Sequence, residues 1–216
     1  MPWIRFRTPT LLAVCFICMI SQATVLLAQN QNKPVWYQRS VLSGGVMEYR
    51  DQELGTSFRA GSDWELAPNG VRWQDYGWKK SKASVLATTV TLTHAPSHAV
   101  LTLYYRSLRQ PGQMTPREID SALAANVDDK ISQRREQGEL QDYRVRARSY
   151  QQNEVSGWRA LSYVADFTQG DNKMSEYLVW IQSDRTLAEF FVRSPASDID
   201  EIMHQVDPIV KSLRIP

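Results

Sequence analysis

The only imidazoles in the 216 residues are His94, His98 and His204. Histidine is the side chain whose ordinary pKa lets it trade protons near neutrality, so these three bound the acid–base options. His94 and His98 flank Ala95-Pro96-Ser97 and could converge on a metal such as zinc. Two imidazoles without a third ligand make a poor zinc site, however, and they read as polar loop residues. His204 lies beside an apolar stripe and reads as a boundary residue. Carboxylates gather at Asp128-Asp129 and at Asp198, Asp200 and Glu201. The second group falls in the first turn of a predicted helix, where negative charge complements the macrodipole. For neither group does the sequence give evidence of the carboxylate separation that glycoside chemistry needs. Gly170-Asp171-Asn172 lacks the carboxylate series of a calcium loop. No nucleophile elbow, phosphate-binding loop, dinucleotide glycine pattern or zinc-protease helix motif occurs. The sequence therefore predicts no catalytic residue, no metal ligand set and no cofactor.

Two stretches have the composition of contact surfaces. Arg144, Arg146 and Arg148 alternate, which on a strand puts three guanidinium groups on one side, as a solvated sheet edge or as a surface for an anionic partner. Arg134-Arg135 is a second basic pair. The more informative stretch runs from Asn69 to Lys80 and holds Trp73, Tyr76 and Trp78 within six residues, followed by Lys79 and Lys80. Large aromatics interleaved with polar residues and glycine supply contact area at interfaces, so these five residues are the predicted binding surface. The alternative is a strand whose rings pack inward.

Compartment and charge narrow the setting. Arg5 and Arg7 precede an apolar run from Leu11 to Ile20, the order of a secretory signal peptide. Ala23 and Ala28 both offer a cleavage position. Cutting after Ala28 leaves the polar Gln29-Asn30-Gln31-Asn32 at the new end, and residues 1–28 are predicted to be removed. The competing reading keeps Leu11 to Ala28 as an anchor, although Ser21, Gln22 and Thr24 interrupt it. Cys15 and Cys18 lie inside this segment, so the remainder has no disulfide, thiolate or cysteine metal site. Cleavage leaves 23 basic against 23 acidic residues. A neutral domain lacks the broad electrostatic footprint of a nucleic-acid binder.

These candidates need elements to hold them. Residues 29–44 read as a flexible leader and 45–216 as one domain, which at about 180 residues can build one core. Short strands around turns are predicted at Val46–Tyr49, Ser57–Arg59 and Ser62–Leu66. Ser84–Thr93 and Ala99–Leu108 form a hairpin candidate, with a loop from His94 to His98. Thr115-Pro116-Arg117-Glu118 opens a long helix in capping-box order, with Ile119, Leu123, Val127 and Ile131 on one face and Gly138 as its stop. Four strands follow at 145–150, 158–167, 174–182 and 187–193, separated by Asn153-Glu154, Gly170-Asp171-Asn172 and Ser183-Asp184-Arg185, which predicts an antiparallel meander. Ile199, Ile202, Val206, Ile209, Val210 and Leu213 define a terminal amphipathic helix, with Ser197 and Asp200 as its capping pair. Pro208 is expected to kink it, or to restart it with Asp207 as the new cap. The sum is α+β, an antiparallel sheet flanked by helices.

At this point the chain resembles the PsbP-like superfamily over about residues 45 to 216. The carrying residues are Ser57-Phe58-Arg59 with Ser62-Asp63-Trp64, the helix after the first hairpin, Ser156-Gly157-Trp158-Arg159-Ala160 opening a long strand, and Ile209-Val210-Lys211-Ser212-Leu213-Arg214. Members usually have proline in the first Phe-to-Trp segment, where this chain has Ala60-Gly61-Ser62. The resemblance implies an α/β/α sandwich acting in binding or complex assembly, and no shared catalytic residues. With the export signal, it implies a periplasmic or secreted non-enzymatic protein with a protein partner in the cell envelope, no nucleic acid and no membrane span after cleavage. Two other readings stand beside it: a hydrolase whose Asp, Glu or His residues meet only in the fold, and a sugar or small-ligand module using Trp73 to Trp78.

Overall fold

The computed structural model describes residues 37–67, 71–75, 85–108, 112–136, 138 and 140–216, with only the backbone of 71–75 and Val85. Nine strands form one antiparallel sheet: β4 (Trp64–Leu66), β5 (Val71–Asp75), β6 (Val85–His94), β7 (Val100–Ser107), β8 (Gln141–Val145), β9 (Gln151–Val155), β10 (Trp158–Gln169), β11 (Asn172–Gln182) and β12 (Thr186–Pro195). Their order is β4-β6-β7-β12-β11-β10-β8, with β5 also on β6 and β9 also on β10. The last three long strands are joined by tight turns, and Gln169 pairs with Asn172 across Gly170-Asp171. Gly170 takes a φ of 60° there, the left-handed backbone that a two-residue hairpin requires.

Strand β11 lies mid-sheet and is buried on both faces. Its alternation sends Leu178 and Trp180 toward helix α1 (Pro116–Glu136), where Leu123 and Val127 meet them with Tyr163 and Phe167 of β10. The other face is covered by helix α2 (Ile199–Ser212) and by a three-stranded antiparallel sheet of β1 (Tyr37–Val41), β2 (Met47–Asp51) and β3 (Ser57–Ala60). Tyr49 stacks on Phe58 with ring centroids 4.8 Å apart. The Tyr105 hydroxyl, fully buried on β7, donates to Asp51 Oδ2 at 2.7 Å. That spends its one proton, so Tyr49 is the donor in the 2.7 Å contact between the two hydroxyls. One hydrogen-bonded line therefore ties the small sheet to the large one.

The capping box forms as its spacing predicts: Glu118 N–H donates to Thr115 Oγ1 and Thr115 N–H donates to Glu118 Oε2 at 2.8 Å. The Thr115 N–H, and then its hydroxyl, donate to Glu118 Oε2, favour the ionised carboxylate and hold the Glu118 pKa below its ordinary value. Several other expectations change. Tyr37–Val41, inside the stretch read as leader, is a strand, because it has β2 to pair with from Tyr37↔Asp51 to Val41↔Met47. The strand expected at 145–150 is a break between β8 and β9. Both pair with β10, Val145 opposite Ala165 and Gln151 opposite Ser162, so five residues stand against two in a wide bulge. Arg148 adopts φ 64° in it, and Ser149 Oγ, bonded to the carbonyl of Val164 and the N–H of Val164, takes over the ladder. Asn153-Glu154 lies within β9, and the turn is Ser156-Gly157, at φ 58° and 81°.

Helix α2 runs through Pro208 without restarting. Pro208 and His204 one turn earlier are both exposed, so the carbonyl deprived of its donor lies on the water side. The Ser197 and Asp200 capping pair does not form. Asp198 is the N-cap, and Ser197 Oγ donates to its carboxylate at 2.5 Å. Among the described residues no helix is long and apolar enough to cross a membrane.

Candidate functional site

Of the residues predicted as a binding surface, Trp73 lies on β5, where the backbone register sets it opposite Ala87. Tyr76, Trp78, Lys79 and Lys80 lie outside the described residues. His94 and His98, read as two polar loop residues, do not both stand in the loop. His94 is the buried last residue of β6, its Nδ1 2.7 Å from Ser97 Oγ and its ring 4.9 Å from that of Trp64. His98 is exposed at φ 56°. Asp128 and Asp129 are exposed on α1. Among the described residues no group of three His, Cys, Asp or Glu side chains could hold a metal ion.

A different set of residues is brought together. Between α2 and strands β9 and β10 lies a cleft of about 500 Å3, walled on one side by the bulge between β8 and β9. Val155, Val179 and Val210 give it an apolar base, and Met203 stands at its side. Tyr177 donates to Asp207 Oδ1 at 3.0 Å, and burial followed by the neighbouring carboxylate pushes the phenol pKa well above its ordinary value. Arg146 shapes the bulge. Its Nε lies 2.8 Å from Asp166 Oδ1, Nη2 donates to Ser175 Oγ at 3.0 Å and Nη1 reaches Asp200 at 3.3 Å. One guanidinium thus ties β10, β11 and the first turn of α2 to the break in the edge strand. The alternation expected of Arg144, Arg146 and Arg148 is lost, because Arg146 turns inward to its carboxylates while Arg148, in the left-handed residue, stays exposed at the cleft.

Beneath α1, on the opposite face, sits an ion cluster that sequence reasoning missed. Glu176 is fully buried and accepts from Tyr143 at 2.7 Å and from Arg193 Nε at 3.0 Å, with Arg134 Nε at 3.4 Å. Burial, then the Glu176 charge, drives the Tyr143 pKa upward. Beside it Lys130 pairs with Glu189 at 2.8 Å. The guanidinium groups of Arg134 and Arg193 also lie 5.1 and 5.0 Å from the Phe191 ring centroid. The signal was available in the period of two, which sets Glu176 on the face of Leu178 and Trp180, and Glu189 on that of Leu187 and Phe191.

The large sheet, one helix on one face and a helix with a small sheet on the other, with a cleft beside the terminal helix, define an α+β sandwich. No family model matches the chain, and no curated protein is significantly similar to it. The solved structures are more informative. The solution structure of cyanobacterial PsbP (CyanoP) from Synechocystis is 14% identical, with a TM-score of 0.52 over 85% of this chain and 100% of that one. LpqN of Mycobacterium tuberculosis, described as involved in cell envelope biogenesis, is 9% identical, with a TM-score of 0.40 over 86% of this chain and 94% of that one. A protein of unknown function from Pseudomonas aeruginosa gives 9% and 0.42 over 79% and 96%. The fold is PsbP-like, as the order of elements in the sequence implied.

Proposed function

We propose that the chain is an exported, non-enzymatic binding protein of the cell envelope, and that a polypeptide segment of its partner lies in the cleft beside α2. The observation that carries this reading is the state of the cleft's acids. Asp207 is engaged by Tyr177 and Asp200 by Arg146, which holds the two acids of α2 in structural pairs, while the third acid of the lining, Glu154, stands exposed on β9. An apolar base with hydrogen-bonding groups of both charges at its rim suits a peptide, which brings alternating apolar and polar contacts. Removal of residues 1–28 on export belongs to the same proposal.

A photocrosslinking amino acid at Met203, which lines the cleft and is half-buried, tests it in cells. The expected outcome is a discrete crosslinked protein that is absent when the label replaces exposed Arg117 on the opposite face. No protein crosslink from Met203 would overturn the reading. If the cleft were hydrolytic instead, Asp207→Asn would abolish turnover of an ester or glycoside substrate. The aromatic stretch, with Trp73, Tyr76, Trp78, Lys79 and Lys80, is proposed as a second contact surface on its composition. Trp78→Ala is expected to weaken capture of the crosslinked partner without unfolding the domain.

A further inference from the structure

The outer face of the small sheet carries a row that neither the fold nor the cleft accounts for. Inward-pointing residues of β2 and β3 are Met47, Tyr49, Asp51, Phe58 and Ala60, all buried. Outward, Arg50 pairs across the strands with Ser57, and Glu48 with Arg59. The chain end extends this row. Arg214 forms an isolated antiparallel bridge with Ser57, each backbone N–H donating to the other's carbonyl at 2.9 and 2.7 Å. Residues directly opposite on paired strands share a face, so Arg50 and Arg214 flank Ser57 from its two sides, with Arg59 in the adjacent row. Serine between arginines leaves a notch, and the structure has one there: a pocket of about 180 Å3 lined by Arg50, Arg59, Arg214, Ser57, Ser212 and Glu48.

The charges in this notch do not balance. Glu48 is its only lining carboxylate and is shared, 3.1 Å from Arg59 and 3.9 Å from Arg50. Arg214 Nη1 donates to Ser156 Oγ and to the carbonyls of Leu213 and Lys211, which are neutral acceptors. Three guanidinium groups against one carboxylate leave a local excess of two positive charges, on a chain that is nearly neutral as a whole. Guanidinium forks match tetrahedral oxyanions bidentately, and a serine hydroxyl adds a donor. We infer that this notch binds a phosphate group, a monoester dianion being the species whose charge equals the excess. The source of that phosphate is either a soluble phosphoester or the headgroup of an anionic lipid.

Calorimetric titration of the full chain with glycerol phosphate, and sedimentation with vesicles of phosphatidic acid, a lipid phosphate monoester, in phosphatidylcholine, separate the two sources. Saturable binding of glycerol phosphate assigns a soluble ester. Binding to the vesicles alone assigns a headgroup. In either case Arg50→Gln and Arg214→Gln should each weaken binding about tenfold or more, since each removes one guanidinium from a site built on three. Arg117→Gln, exposed on α1, should leave it unchanged. Phosphate also raises melting temperatures nonspecifically by exclusion from protein surfaces, so the informative quantity is the shift in the parent protein minus that in Arg50→Gln/Arg214→Gln. That difference should be positive. Binding of neither ligand, or binding that the double variant retains, would overturn the inference.

Discussion

Glu176→Ala should be the most damaging single substitution at the interface of α1 with the sheet. The carboxylate has no exposure and holds groups from three elements: Arg134 of α1, Arg193 of β12 and Tyr143 of β8. Breaking a buried pair by removing one partner costs about 3 to 5 kcal/mol, because the other charge stays behind unpaired. Arg134 and Arg193 keep 14% and 26% side-chain exposure, so part of their hydration returns and the low end, about 3 kcal/mol, applies. For a body of about 180 residues, 1 kcal/mol moves the melting temperature by about 2 to 4 °C, so the fall should be about 6 to 12 °C. Urea unfolding should show a lower midpoint at an unchanged slope. The triple change Arg134→Met/Glu176→Leu/Arg193→Met, which removes every charge together, should recover most of the loss. A Glu176→Ala protein within 1 kcal/mol of the parent would refute the assignment of this cluster as the clamp on α1.

Tyr105, Tyr143, Tyr163 and Tyr177 all have pKa values raised, chiefly by burial, so their protonated forms stabilise the fold. With folded values above the unfolded value of about 10, that stability is intact below about pH 10 and lost as pH rises further; urea midpoints at pH 8 and pH 11 should differ sharply. Thr115→Ala should cost about 1 kcal/mol by removing the N-cap of α1, read by the same unfolding. Glu118, whose pKa is lowered, supports that cap in its ionised form. Its contribution is present above its ordinary value and fades as pH falls through the lowered one, so the Thr115→Ala deficit should shrink in acid.

What the sequence made legible was local. The capping box, the hairpin around Ala95-Pro96-Ser97 and the meander after β9 depend on residues a few positions apart, and each forms where the pattern placed it. Pairings over distance were not legible. Nothing in Tyr37–Val41 marks it as a strand, because what makes it one is β2, and nothing near Arg214 announces Ser57 as its neighbour. The bulge at 146–150 looked like a continuous strand because alternation reads side chains and not the backbone, and Arg148 can take φ 64° only at a cost that Ser149 and Arg146 offset through their hydrogen bonds. The notch of three arginines is assembled from segments more than a hundred residues apart, and the cleft beside α2 from a bulge, two strands and a helix that are separate in the chain. For that reason the alternation of Arg144, Arg146 and Arg148 is visible in the sequence, while the grouping of Arg50, Arg59 and Arg214 is not.

The interrupted edge strand also bears on self-association. β10 has 12 residues, and its outer margin is covered in two short pieces with a break between them. A continuous outer strand would offer a second copy a straight row of unpaired N–H and C=O groups, the template on which sheets grow from molecule to molecule. The break bends that row, fills its middle with Ser149 and sets exposed Arg148 across it. Shortening residues 146–150 until β8 and β9 join would smooth the margin. The fold would be simpler, and the straightened margin would offer the template for edge-to-edge stacking into fibres.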